Sequence, residues 1–294
     1  MLWIGLNRTT HKGEYLQTYY ELMKLKLGRY INEMRKVKVK KGKLRFYQSL
    51  LRSGLHYLIS NEITNPVHYM KKYSIVTYDE RLFYIDQNTS FGYYLLLNLL
   101  EPKTCSEIMH KNGSIFIDVG ANCGGYTIRA SRNFKKVIRA LNLFQSCEKS
   151  LIRIFPWIVW IMLSFLDEAV SNYNGTSKFY VSNLGQLSSF SEHIDYIDKI
   201  NVKVSRLDKV INEQGTVSDL IKIDAEGAEV ECLEGLGVYI NKVPELIVEI
   251  SSHDNLNKIL DILSFYSIER LSGREEQNYI FRLSKALLNK YKSI

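Results

Sequence analysis

Between residues 114 and 250, short apolar runs alternate with stretches whose apolar positions recur every three or four residues. Residues 114–119 (SIFIDV), 220–224 (LIKID) and 245–250 (ELIVEI) are such runs. Each has strand length and is apolar on both alternating sets of positions, as expected for strands buried on both faces. Strand followed by helix, repeated, predicts an α/β domain with a mostly parallel sheet. Residues 265–271 and 278–283 predict an antiparallel closing pair. Upstream, Ile75-Val76-Thr77-Tyr78 and Leu82-Phe83-Tyr84-Ile85 flank Asp79-Glu80-Arg81, a hairpin pattern. A helix is predicted over 91–109, ending near Asn112-Gly113. Over residues 1–75 the spacing is helical, as in Tyr15, Tyr19, Leu22, Met23 and Lys26, or Leu50, Leu51, Leu55 and Leu58. The chain therefore divides into a helical segment, 1–75, and an α/β domain, 76–294.

Charge sharpens that division. Residues 1–52 hold 13 Lys and Arg against 3 Asp and Glu, while the rest of the chain is nearly balanced. The formal net charge of +8 thus originates in the N-terminal segment. A block such as Arg35-Lys36-Val37-Lys38-Val39-Lys40-Lys41 suits an anionic surface, and equally a solvated helical face. The longest apolar stretch, residues 154–166, has 13 residues and contains Pro156. That is short of the ~18 needed to span a bilayer, so no transmembrane segment is expected. The first residues lack a basic run ahead of an apolar core, so no secretory signal is expected. Cys105, Cys123, Cys147 and Cys232 show no C-x-x-C spacing, which fits scattered thiols in a reducing cytoplasm rather than a structural zinc.

Two motifs carry chemistry. In Asp118-Val119-Gly120-Ala121-Asn122-Cys123-Gly124-Gly125-Tyr126-Thr127 a buried strand ends in a turn of small residues. Such a turn lets the backbone approach a ligand closely, and a helix then starts with free N–H groups. Nicotinamide enzymes use a similar turn. Here, however, an acid opens it, where it can bind a cationic amino group, and the helix continues with bulky and polar Tyr126, Thr127 and Arg129. The second motif is Lys222-Ile223-Asp224-Ala225-Glu226-Gly227-Ala228-Glu229. Asp224 and Glu226 lie at the carboxyl end of a strand, the edge where open α/β sheets bind ligands. They can bind a hydroxyl substrate and take its proton, or simply cap the following helix. His253, after the third strand, reads as structural or as a lone base.

The strings IFIDVGANCGGYT, LDEAVSNYNGTSKFYV, GQLSSF, RLDKVI, DLIKIDAEGAEVECLEGL and PELIVEI stand in the order seen in the FkbM family, which this chain resembles over residues 76–283. The resemblance implies a Rossmann-like class I methyltransferase fold, with a seven-stranded, mostly parallel sheet and an antiparallel closing strand. It implies S-adenosylmethionine as cofactor and a hydroxyl of a sugar, glycolipid or secondary metabolite as acceptor. Asp118, Gly120, Asn122 and Gly124 would line the methionine side, Asp167 and Glu168 the adenine. Asp224 and Glu226 would face the transferred methyl group. The expected location is the cytoplasm, with peripheral membrane contact through residues 1–52. The competing expectation is a non-catalytic relative whose basic N-terminus binds an anionic surface.

One stretch departs from that pattern. A nucleotide-binding α/β fold places an acid for the ribose hydroxyls at the end of its second strand, ~20 residues after the glycine turn. FkbM-like chains have Glu-Pro there, whereas Arg139-Ala140-Leu141-Asn142-Leu143 has no carboxylate. Residues 153–163 are nearly all apolar where an amphipathic helix belongs. Codons for residues 139–165, each read from the third base of the one before, can encode GVEPFPELRKKSYQNISLDSLDNVIF without a stop. That restores Glu-Pro and leads directly into LDEAVS, so residues 139–164 read as out of frame with the ancestral gene.

Overall fold

Strands β1 (Lys38–Lys41), β2 (Ser74–Tyr78) and β3 (Arg81–Ile85) form a small antiparallel sheet in that order. The computed structural model describes residues 32, 35–44, 46–49, 51–52, 74–78, 81–85, 101–121, 124–140, 163–166, 168–182, 196–225, 227–250, 253–271 and 278–283. The hairpin of β2 and β3 is as the sequence predicts, with Tyr78 opposite Arg81. The basic run is different: the helical reading of residues 1–75 does not hold at Lys38–Lys41, which is a strand paired with β2. The physical reason is the alternation of valine and lysine, whose period of two suits a strand and not a helix. Helical structure resumes after it, where the Phe46 N–H donates to the Gly42 carbonyl at 3.0 Å. On the outer strand of this sheet, exposed lysines also discourage pairing with other chains.

The main domain runs α1 (Pro102–His110), β4 (Gly113–Val119), α2 (Gly125–Ala130), β5 (Phe134–Ala140), β6 (Leu163–Leu166), β7 (Ala169–Val170), β8 (Gly175–Ser182) and β9 (Tyr196–Ser205). It continues with α3 (Leu207–Gln214), β10 (Leu220–Ile223), α4 (Glu229–Glu234), β11 (Glu245–Glu249), α5 (His253–Ile262), β12 (Tyr266–Arg270) and β13 (Asn278–Leu283). Of the helix predicted over 91–109, α1 occupies the second half; residues 91–100 lie outside the described set. Pro102 suits its first turn, where a missing N–H costs nothing.

The large sheet has the order β12-β13-β11-β10-β4-β5-β6. Strands β6, β5, β4, β10 and β11 are parallel, and β13 is antiparallel to both its neighbours. From β4 the chain builds outward to β5 and β6, then returns to place β10 on β4's other side. The order thus reverses between β4 and β10, and in such sheets the crevice beyond those two strand ends holds the ligand. A second small sheet, β7-β9-β8, follows the end of β6.

Both faces of the large sheet are covered. Ile115, Ile117, Val119, Ile221, Ile223, Leu246 and Val248 pack with Leu207, Val210 and Ile211 of α3, Cys232 and Leu233 of α4, and Ile259 of α5. On the other face Phe116, Val137, Leu220, Ile247 and Ile280 pack with Cys105 and Ile108 of α1 and Tyr126 and Ala130 of α2. This explains why the strands read as continuous apolar runs. Cys105 and Cys232 are buried within these layers. No helix among the described residues is long and apolar enough to cross a membrane.

Candidate active site

Strands β4 and β10 stay laced beyond their ends. Asp219 Oδ2 accepts the N–H groups of Ser114 and Ile115 at 2.6 and 2.9 Å, and the Asp224 N–H donates to the Val119 carbonyl at 3.1 Å. Gly120 has φ 75°, and a Cβ there would collide with the Asp224 carbonyl. Glycine is required at this position by the neighbouring strand as well as by the turn. Gly124, at φ 74°, turns the chain into α2, and its N–H returns to the Ala121 carbonyl at 2.7 Å. Asn122 lies outside the described residues.

Asp118 shares a sheet face with Phe116 and is almost wholly buried. Thr127 Oγ1 donates to its Oδ2 at 2.5 Å, and its Oδ1 has no hydrogen-bond partner among the described residues. Burial pushes its pKa up to about 6, against the opposing pull of Thr127, Lys222 and Arg139. In register, Arg139 of β5 and Lys222 of β10 stand on either side of it. The result is a row of cation, anion, cation across three strands, each side chain at most 3% exposed.

Asp224 follows the end of β10, two residues after Lys222. Its Oδ2 is 3.6 Å from Lys222 Nζ, and Glu249 Oε2 at the end of β11 is 3.7 Å from the same nitrogen. Lys222 is fully buried, its ammonium 5.4 Å from the centre of the Tyr126 ring. Burial alone would lower its pKa, but Asp224, Glu249, Glu101 and Asp118 outweigh that and raise it. Tyr126 Oη and Asn278 Nδ2 both donate to Glu101 Oε2, closing the far side of the cluster.

The capping alternative for Asp224 finds no support. The residue capping α4 is Ala228, with no side-chain cap, and it is Glu229 Oε1 that accepts the Gly227 N–H at 2.8 Å. Glu226 lies outside the described residues. Glu168 is engaged elsewhere: Lys203 donates to its Oε1, Ser205 donates to its Oε2, and Lys209 Nζ is 3.7 Å from Oε2. Although burial opposes it, these partners hold its pKa below the usual value. Glu168 thus fastens the β7 end to β9 and α3. Asp167 is outside the described residues, and His253 opens α5.

Asp118, Gly120, Gly124 and Asp224 are therefore brought to one sheet edge. The sequence motifs did not single out Lys222, Glu249 or Glu101. Lys222 had a signal, a charge inside the apolar run Leu-Ile-Lys-Ile, and Glu249 is another acid at a strand end.

The family model described as the methyltransferase FkbM domain matches residues 118–281. No curated protein sequence matches the chain. Among solved structures it is similar to a precorrin-6y C5,15-methyltransferase from Geobacter metallireducens GS-15, at 12% identity over 62% of this chain and 86% of that one, TM-score 0.36. It is similar to a ribosomal protein L11 methylase from Lactobacillus delbrueckii subsp. bulgaricus, at 15% identity over 65% and 80%, TM-score 0.38. Magnesium protoporphyrin IX methyltransferase from Synechocystis PCC 6803 aligns at 12% identity over 65% and 84%, TM-score 0.37.

Proposed function

This chain belongs to the FkbM methyltransferase family, and we propose that it moves the methyl group of S-adenosylmethionine onto a hydroxyl oxygen. As a family member it is an S-adenosylmethionine-dependent methyltransferase; the oxygen acceptor and the residue roles are our reading. The observation that carries it is the pair of carboxylates, Asp118 and Asp224, at the adjacent ends of β4 and β10 where the strand order reverses.

The buried Asp118 Oδ1, which has no hydrogen-bond partner among the described residues, fits a ligand ammonium group. The four carboxylates set around Lys222 favour a cationic ligand and disfavour a pyrophosphate, which argues against a dinucleotide. S-adenosylmethionine supplies a methyl group on a sulfonium sulfur, an electrophile that needs positioning more than activation. Asp118 holds the amino acid end, with Gly120, Asn122 and Gly124 forming the close-approach turn. Asp224, or Glu226 beside it, accepts the hydroxyl proton as the new O–C bond forms and the C–S electron pair stays on sulfur. Acceptors of this chemistry are sugar, glycolipid and secondary-metabolite hydroxyls. The adenine side is assigned to Asp167 and Glu168, the latter less readily because both its oxygens already have partners. The exposed lysines of β1 support contact with an anionic surface, and a cytoplasmic enzyme peripheral to the membrane fits that contact.

The test is methyl transfer from labelled S-adenosylmethionine to a panel of hydroxylated glycans, glycolipids and small metabolites, with matched amines and thiols. Label on oxygen supports the reading. Label confined to nitrogen or sulfur across the panel overturns it.

A further inference from the structure

Lys222 is a fully buried charge beside the site that this reading leaves without a task. An isolated ammonium in a sheet interior costs several kcal/mol, and an aliphatic residue would pack there more cheaply. It has no hydrogen bond among the described residues, only carboxylates at ion-pair range and the face of Tyr126. By register it stands beside Asp118 on the same face, both closed to solvent, while Asp224 and Glu249 reach the surface with 19% and 31% of their side chains exposed.

We propose that Lys222 is a positioning residue for the cofactor: its buried ammonium lets Asp118 stand as a carboxylate inside the sheet, ready for the ammonium group of the methyl donor. The inference rests on the assignment of Asp118 to the methionine side made above. Around Asp118, Thr127 of α2 donates a hydrogen bond, Arg139 of β5 and Lys222 of β10 supply positive charge, and Asp224 supplies negative charge. Glu249 of β11 and Glu101 ahead of α1 act on Lys222 from its other sides. Without the Lys222 charge, Arg139 is the cation left beside Asp118 in register, and a carboxyl already near 6 rises further.

The experiment is calorimetric titration of the full chain with S-adenosylhomocysteine from about pH 5.5 to about pH 8.5. Parent binding is expected to weaken only as pH falls toward 6, where Asp118 takes up its proton. Lys222→Met should begin to weaken about one pH unit higher, a loss of about tenfold relative to the parent between the two midpoints. Lys222→Arg should restore the parent profile. A Lys222→Met profile parallel to the parent's overturns the proposal. If Lys222→Met does not fold, Lys222→Gln decides: with the charge removed and a polar group kept, the midpoint should still move to higher pH, and an unmoved midpoint overturns the proposal. Asp118→Asn separates the two readings. If it binds as tightly as the parent at about pH 8, the Asp118 assignment fails; if it weakens while the Lys222→Met profile stays parallel, only the role of Lys222 fails.

Discussion

The Lys222 ammonium lies 3.6 Å from the carboxylate of Asp224, two residues later and just past the end of β10. The pair runs from the sealed interior to the open edge of the sheet. Around it the chain accepts an electrostatic cost that its fold alone does not require, and several expected outcomes come from that cost.

Asp118 should trade stability for binding. Its folded pKa, about 6, lies above the ordinary 3.8, so the folded state holds this proton more tightly than the unfolded chain. The stability from that proton is full below about pH 4 and is lost as pH rises to about 6. Asp118→Asn should therefore be more stable than the ligand-free parent at neutral pH, by on the order of 3 kcal/mol, and converge with it near pH 4. The same variant should bind S-adenosylhomocysteine ~10–100-fold more weakly, the loss of a charge-assisted contact. Thermal melts across pH and calorimetry check both halves, and equal affinity would refute the contact.

Asp224→Asn and Glu226→Gln should lower turnover by ~10²–10⁴, and Asp224→Asn should also lower stability, because buried Lys222 loses an ion-pair partner. The α4 end depends on Ala228 and Glu229, so losing the Asp224 charge removes no cap. Initial rates of S-adenosylhomocysteine release, set beside melting curves, separate the two roles. A lowered melting temperature with unchanged turnover per folded molecule would return these acids to a structural role.

Gly120→Ala should be severely destabilising and Gly215→Ala only mildly so. Both have positive φ, but a Cβ at Gly120 meets the Asp224 carbonyl whereas one at Gly215 meets nothing within 4 Å. Gly215→Ala should cost roughly 1–2 kcal/mol, the left-handed conformation alone. Gly120→Ala adds the separation of β4 from β10 to that cost. Urea denaturation of both variants measures the difference, and comparable midpoints would mean that β4 and β10 yield more easily than their lacing implies.

The codons for residues 139–164 should be open in the shifted frame and encode GVEPFPEL at its start. Strand β5 ends at Ala140, so the Glu of that Glu-Pro pair falls directly after the strand end, the place where a ribose-binding acid belongs. Residues 141–162 themselves lie outside the described set. Sequencing the gene decides this: stops in the shifted frame, or codons unable to encode Glu-Pro, end the idea. A chain carrying the restored segment should bind S-adenosylhomocysteine more tightly than the chain as written.

The sequence determined what is local and repetitive. Apolar runs at 114–119, 220–224 and 245–250 marked β4, β10 and β11, because strands buried on both faces need apolar residues at every position but their ends. The glycine turn and the acids at strand ends were visible for the same reason. The hairpin of β2 and β3 needed only its own residues. At Lys38–Lys41 the helical spacing of the surrounding segment masked a period-two alternation, and partnership with β2, more than 30 residues on, decided for a strand. The charge cluster lay beyond local reading altogether. Arg139, Asp118, Lys222 and Glu249 come from four strands, and only their register and shared face bring them together. Glu168 shows the converse: its acid was legible in LDEAVS, but its partners Lys203 and Ser205 come from β9, and only the fold brings them to it. Side-chain type and spacing are written along the chain, whereas electrostatic environment depends on which distant strands become neighbours, and that only the tertiary structure decides.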